Sequence, residues 1–285
     1  MKFAKYHGLG NVYLVIEPAA LAQPLSQTTI QLICHPHFGA GSDGILLGPV
    51  PSDTCDFGLR IYNPDGSEAE KSGNGLRIFA RYLLDTGRVQ FKPFTVETLG
   101  GLVTCTIAED GRIIQVGMGQ VRFHSAEIPV TGKPREVLDE WMVVADQVFR
   151  FSAATLGNPH CVVLLTEPPT AELAHQVGPL IEHSPLFPHR TNVQFLFVPD
   201  QQNIQIEIWE RGAGYTLASG SSSVAATAVA HRLGLCENSV TVHMPGGTLA
   251  VMLDDNFYAT LTGPVSKICE GSLAPEMFEA NNLQR

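Results

Sequence analysis

Ser72-Gly73-Asn74-Gly75 and, 147 residues later, Ser219-Gly220-Ser221-Ser222 open two helical stretches in the same way. The same offset carries Leu9-Gly10-Asn11 onto Leu156-Gly157-Asn158 and Ile61-Tyr62-Asn63 onto Ile208-Trp209-Glu210. One matching tripeptide proves little, but several matches in one register, about half the chain apart, read as a duplicated fold. Downstream, Thr95-Val96 to Gly100-Gly101 repeats as Thr241-Val242 to Gly246-Gly247, with the register shifted by one residue.

Each copy has the same local grammar. In the first, Leu59 and Ile61 alternate with polar residues as in a half-buried strand, and Asn63-Pro64-Asp65-Gly66 turns the chain. Ser72 is suited to an N-cap, and Leu76, Phe79, Ala80 and Leu83 then follow at helical spacing. In the second, Ile204, Ile206 and Ile208 lie on a strand and Arg211-Gly212-Ala213-Gly214 in a turn. An alanine-rich helix from Val224 to Leu233 stops at Gly234. Short β-branched runs such as Val162 to Leu165 and Val193 to Val198 make both halves rich in strands. The expected fold is α+β, with two pseudo-symmetric halves, each a sheet wrapped around a central helix. The expected boundaries are 1–120, completed by about 265–272, and 121–264, with 273–285 as a polar, flexible tail.

A chain of 285 residues is long enough for two cores. Its formal charge of −10, without a compensating run of Lys or Arg, argues against a nucleic-acid surface and for a small polar ligand. The Met1–His7 start lacks an apolar signal region, and no stretch is apolar enough to span a bilayer, so a cytoplasmic protein without membrane contact is expected. The six cysteines are scattered singly, which suits reduced thiols. Cys34, His35 and His37 form too weak a cluster to read as a metal site, and no metal is expected. Gly39-Ala40-Gly41 and Gly212-Ala213-Gly214 lack the third glycine and the βαβ setting of a dinucleotide fingerprint, so a nicotinamide cofactor is rejected.

Two helices that begin at Ser-Gly present backbone N–H groups and positive dipole ends, which suit carboxylates or phosphates. If a pseudo-two-fold axis relates the halves, both ends can converge on one anion. Capping alone is the commoner fate of such serines, and the repeat is what raises the functional reading. Asn11, Asn63, Asn158 and Asn192 stand in loops, and Arg211 sits in a turn. Singly, each is an ordinary turn-former. Together they suit a zwitterionic ligand carrying a second carboxylate.

Several segments, in order, make the chain resemble the diaminopimelate epimerase family along almost its full length. They are His7–Asn11, Asn63–Glu68, Ser72–Gly75, Gly157–His160, Arg190–Asn192 and Trp209–Gly214. The resemblance implies a duplicated fold, a homodimer, lysine or cell-wall precursor metabolism, and proton transfer at the substrate's α-carbon without a cofactor. In that family two cysteines face each other across this carbon as base and acid; here Ser72 and Ser219 occupy both positions. The resemblance further implies that Asn11, Asn63, Asn158, Asn192 and Arg211 hold the distal end of the substrate. Gly73, Asn74, Gly220 and Ser221 would hold its α-carboxylate, and His160 and Glu210 match the groups that tune the thiols.

A cysteine, with a pKa of about 8.5, supplies thiolate near neutrality, whereas a serine hydroxyl does not ionise without a strong partner. The expected activity is therefore an isomerase of an amino acid or related carboxylic acid that is weak or inactive in ordinary diaminopimelate epimerisation. Related members without the cysteines act on unsaturated acids. Lys71, beside Ser72, is a further candidate base, because a desolvated lysine loses basicity, although a solvated surface lysine is the commoner case. Two alternatives stand beside this reading: a non-catalytic protein that binds a diaminopimelate-like ligand or a partner, and an inactivated Cys-to-Ser form of a true epimerase. An epimerase run by a His160-activated serine has the least chemistry in its favour.

Overall fold

Strands alternating buried and exposed residues, each set curled around one helix, build two units: Met1–Val116 with the chain from Gly263 onward, and Gly117–Thr262. The computed structural model describes residues 1–279. The first unit runs β1 (Lys2–Gly8), β2 (Asn11–Ile16), α1 (Gln27–Cys34), β3 (Ile45–Val50), β4 (Phe57–Tyr62), β5 (Glu68–Ala69), α2 (Gly73–Asp85), β6 (Phe94–Thr98), β7 (Gly101–Ile107) and β8 (Ile113–Gln120). The second runs β9 (Glu140–Val144), β10 (Gln147–Thr155), β11 (Pro159–Leu164), α3 (Ala171–Glu182), β12 (Asn192–Asp200), β13 (Asn203–Glu210), β14 (Gly214–Thr216), α4 (Gly220–Arg232), β15 (Ser239–Met244), β16 (Gly247–Leu253) and β17 (Tyr258–Pro264). The chain then returns to the first unit as β18 (Ser266–Ser272) and the short α5 (Glu276–Glu279).

One pairing scheme serves both units. In the first, β1–β2, β3–β4, β4–β5, β6–β7 and β7–β8 are antiparallel, while β2–β3 and β4–β6 are parallel. In the second, β10–β11, β12–β13, β13–β14, β15–β16 and β16–β17 are antiparallel, while β11–β12 and β13–β15 are parallel. Even the flanking strands correspond, with β18 antiparallel to β1 and β9 antiparallel to β10. The fold is α+β and duplicated, and the 147-residue offset read from the sequence is the offset between the first residues of α2 and α4.

Each central helix is buried along most of its length, α2 from Gly73 to Ala80 and α4 from Ser222 to Ala230. On α2, Leu76, Ile78, Phe79, Ala80 and Leu83 have no exposed surface, and the helix packs on β1, β2 and β7. Burying a large apolar side chain contributes about 1.5–3 kcal/mol, which makes Phe79 and its neighbours the anchor of this unit. Along α4, Ser222 to Ala230 are all buried and mostly small, which lets the backbone of β10–β13, β15 and β16 approach closely. At the other face of the second unit, α3 packs on β12, β13 and β14, with Trp209 partly buried in the same core.

The segment after Ser272 departs from the tail expected of its polar composition. Leu273 is buried, its N–H donates to the Met1 carbonyl at 2.8 Å, and Met277 and Phe278 pack on the core of Leu14, Ile30, Ile33 and Ile45. Three apolar residues spaced along a mostly polar stretch hold it down. Residues 280–285 of the expected tail lie outside the described residues.

Where α3 crosses β13 the approach is close enough to require glycine. A Cβ on Gly178 would fall 2.6 Å from both Cβ and Cγ of Trp209. Gly178→Ala is expected to destabilise the second unit by about 1–3 kcal/mol through overpacking, measured as a lowered urea midpoint with an unchanged slope.

Candidate functional site

Ser72 precedes α2 with extended backbone (φ −138°, ψ 117°). Its hydroxyl oxygen accepts from the Gly75 N–H at 3.0 Å and shares a 3.2 Å hydrogen bond with the Tyr13 hydroxyl. Ser72 is thus an N-cap, satisfying one amide of the first turn. Asn74, buried in that turn, donates from Nδ2 to the Asn11 Oδ1 at 3.0 Å, and Asn11 donates to Asp43 Oδ2 at 3.2 Å. Asn63 is occupied in the β4–β5 turn, where its N–H donates to the Ser67 carbonyl and its Nδ2 to the Ser67 hydroxyl, each at 2.9 Å.

Lys71 is half-buried, so it is neither the fully solvated lysine nor a fully enclosed one. Its Cβ stands against the turn at Gly100, and burial lowers the pKa of its ammonium.

Ser219 precedes α4 with nearly the same backbone (φ −142°, ψ 125°) but makes no side-chain cap bond, although it is buried. The two serines are equivalent in backbone and different in chemistry: one hydroxyl is engaged by its helix and the other is not. Ser223, one turn on, donates its hydroxyl to the Ser219 carbonyl at 2.8 Å. Within the first turn Ser221 receives a long hydrogen bond, 3.5 Å, from Asn158 Nδ2. Asn158 Oδ1 lies 3.1 Å from Nε2 of His160.

His160 is wholly buried. Desolvation pulls its pKa down to about 3, with Gln194 pulling upward and the charge of Arg211 downward. The imidazole is therefore neutral, and with Asn158 Oδ1 as acceptor its hydrogen sits on Nε2. Gln194, also buried, donates to the Ser222 hydroxyl at 2.9 Å, which ties this polar cluster to α4.

Asn192 joins two segments that are distant in sequence. Its Nδ2 donates to the Pro159 carbonyl at 2.9 Å, and its Oδ1 accepts from the Arg211 N–H at 3.0 Å. The Arg211 side chain is exposed, and its Nη1 reaches the His189 carbonyl at 3.4 Å. Glu210 ends β13, half-buried. Asn158, His160, Asn192, Arg211 and Ser221 are thus gathered by one hydrogen-bonded framework around the start of β11.

The support for this framework includes Glu182, which carries no sequence signal because it reads as the polar end of α3. Its buried carboxylate accepts from Trp209 Nε1 at 2.7 Å and from the Gly212 N–H at 2.9 Å, with Arg190 Nη1 at 3.5 Å. It clasps the Trp209–Gly212 turn from both sides of Arg211. Burial alone would raise its pKa, but the hydrogen bonds from Trp209 and Gly212 and the charges of His183 and Arg190 bring it below the usual carboxylate value.

No cysteine stands in for the serines. Cys161, adjacent to His160, points into the core beside Val193, and burial raises its thiol well above the reactive range. Cys105 is likewise pushed up to about 12 by burial. The Cys34–His37 stretch forms a turn in which His35 Nδ1 accepts from the N–H groups of His37 and Phe38.

The sequence pattern of diaminopimelate epimerase matches residues 3–124 and 152–268. The chain belongs to the diaminopimelate epimerase family. Its relatives in the family include "Diaminopimelate epimerase 2" of Nostoc sp. (strain PCC 7120), 57% identical over 278 residues that span 98% of this chain and 97% of that protein. The diaminopimelate epimerase of Desulfitobacterium hafniense is 39% identical over 281 residues, 96% of this chain and 98% of that one. Among solved structures, a hydroxyproline epimerase from Agrobacterium vitis with bound trans-4-hydroxy-L-proline shares the fold. Its TM-score is 0.70 at 17% identity, covering 97% of this chain and 93% of that one. In this member of the diaminopimelate epimerase family, both helix starts carry serine.

Two outcomes follow from these geometries. Glu182→Gln is expected to cost about 2 kcal/mol of stability, since it weakens two buried charge-assisted hydrogen bonds. Because the folded pKa of Glu182 is depressed, the stabilisation is present above its ordinary value of about 4.3 and lost as pH falls through the folded value. The difference between the two forms should therefore be largest above about pH 5 and shrink steadily as the pH falls below that in denaturant titrations. His160, in turn, should hold a neutral-imidazole NMR shift from pH 8 to about pH 4, assigned by its disappearance in His160→Gln; a midpoint near 6.5 would contradict its desolvation.

Proposed function

We propose that this protein is a cofactor-independent isomerase that moves a proton on an amino acid or related carboxylic acid, with weak or no turnover in ordinary epimerisation of L,L- to meso-diaminopimelate. The observation that carries this reading is the state of the serines. Ser72 accepts from the Gly75 N–H and shares a hydrogen bond with the Tyr13 hydroxyl, neither of which is a strong base. Ser219 is buried at the start of α4 without a cap bond. A hydroxyl in either setting is a far poorer base than the thiolate used elsewhere in the family.

The residues proposed for recognition are Asn11, Asn63, Asn158, Asn192 and Arg211 for the distal end, with Gly73, Asn74, Gly220 and Ser221 for the α-carboxylate. Helix starts suit that carboxylate through their dipole and backbone N–H groups, and Arg211, exposed on a clasped turn, suits a second one. Ser72, Ser219, His160 and Glu210 hold the family's acid/base and tuning positions. Lys71 is the remaining candidate base in the first unit: its half-burial lowers the cost of a neutral amine, which is the form that accepts a proton. The chemistry needed is the loss of one α-proton to a base and its replacement by another from an acid, with no redox change.

A second reading, binding without catalysis, is favoured by the same engaged hydroxyl of Ser72. The two separate in deuterated water. Incubated with L,L-diaminopimelate, the unmodified protein is expected to exchange the α-proton at least a hundredfold more slowly than the Ser72→Cys/Ser219→Cys form, as expected for loss of general acid-base catalysis (roughly 10²–10⁴-fold). Equal rates would refute the assigned role of the serines. Exchange by neither form, with L,L-diaminopimelate bound, would favour the binding reading.

A further inference from the structure

Arg77 is a fully buried cation in the first unit. It belongs to α2, and its side chain runs back toward the helix start, as helical side chains do. Nη1 donates to the Gly73 carbonyl at 3.3 Å and Nη2 to Asn74 Oδ1 at 2.9 Å, while Nε has no hydrogen-bond partner. No carboxylate forms an ion pair with it among the described residues, and burial is what acts on its pKa, lowering it to about 10. A buried charge without a counter-ion is costly, and a cation beside the first turn also opposes the positive end of the helix dipole. The fold alone gives no reason for a charge in this place.

The bonds around it do. Arg77 donates to Asn74 Oδ1, Asn74 Nδ2 donates to Asn11 Oδ1 at 3.0 Å, and Asn11 Nδ2 donates to Asp43 Oδ2 at 3.2 Å. Asp43 Oδ2 also takes the Val12 N–H at 2.8 Å. All three links run in one direction, from a group that can only donate to a group that can only accept. The charged ends therefore fix which way round both amides lie, and each bond polarises the next. Asn11 has its oxygen committed to Asn74, so what it offers to a ligand is N–H.

We propose that Arg77 is a positioning residue that, through Asn74 and Asn11 and by its own charge, makes the start of α2 an electropositive, donor-presenting seat for a ligand carboxylate. The identity of that ligand as an amino acid rests on the function proposed above; the electrostatic effect at the helix start does not.

The test uses Ser72→Cys as a local probe in the full chain. The pH dependence of iodoacetamide alkylation is followed at that position by peptide mass spectrometry, which separates it from Cys55 and Cys269. Adding Arg77→Met is expected to raise the pKa of the probe thiol by about one unit, slowing alkylation at pH 7 about tenfold. Arg77→Lys should give an intermediate rate, because it keeps the charge but not both hydrogen bonds. Asp43→Asn, at an exposed position, should act in the opposite sense and speed alkylation, since it removes the anion from the far end of the chain. A purely structural role for Arg77 predicts no such opposed pair. Equal rates across the variants, or shifts of one sign for Arg77→Met and Asp43→Asn, overturn the proposal. If Arg77→Met does not fold by circular dichroism, Arg77→Lys and Asp43→Asn decide the matter. The probe reports whether or not diaminopimelate is the ligand, so failure of the proposed function would show separately, as absence of ligand binding with the thiol shifts intact.

Discussion

A helix enclosed by strands leaves its unpaired backbone groups only at its ends, and the rest of this structure follows from that constraint. In both units the strands enclose the middle of the central helix and fill it with side chains that have no exposed surface. The first-turn amides of α2 and α4 cannot be satisfied by the helix itself. Ser72 satisfies one of them, and Ser219 does not. Polar chemistry therefore gathers at the two helix starts, because that is where the fold leaves donors without intrahelical partners.

Around those starts the side chains are held by other side chains. Glu182 clasps the turn that carries Arg211, Asn192 ties that turn to Pro159, and Asp43 and Arg77 bracket Asn11 and Asn74. These networks run from buried members such as Arg77, Asn74, Glu182 and Asn192 out to exposed Asp43 and Arg211, and their members are mostly satisfied, the state in which such networks rigidify. The exceptions among the described residues are Nε of Arg77, Nδ1 of His160 and Oε1 of Gln194. Neither serine hydroxyl belongs to these networks: that of Ser72 is engaged by the first turn of α2, and that of Ser219 makes no cap bond.

Much of this was legible in the sequence, for a physical reason. Duplication writes itself as an offset, and a serine before glycine at the start of an apolar helical period has few other uses, so α2, α4 and the correspondence of the two halves could be read directly. The strand–turn–helix order around Asn63 and Arg211 was legible from apolar alternation, turn residues and helical spacing. What was hidden depends on contacts between residues far apart in sequence. Glu182 looks like an ordinary helix end until Trp209 and Gly212 are brought to it, and Arg77 looks like a surface arginine because its period places it among polar neighbours. Leu273, Met277 and Phe278 are too sparse to outweigh the polar residues between them, which is why the segment read as a tail. The difference between the two serines was equally hidden, because cap geometry is a matter of one side-chain torsion.

The central proposal is that this member of the diaminopimelate epimerase family, with serine at both helix starts, recognises a diaminopimelate-like ligand. Isothermal titration of the unmodified protein with L,L-diaminopimelate, alongside the Ser72→Cys/Ser219→Cys form, tests it most directly. The account predicts saturable binding to both forms, with affinities that agree within about tenfold, roughly 1.4 kcal/mol. Binding by the cysteine form alone, or by neither, would contradict it.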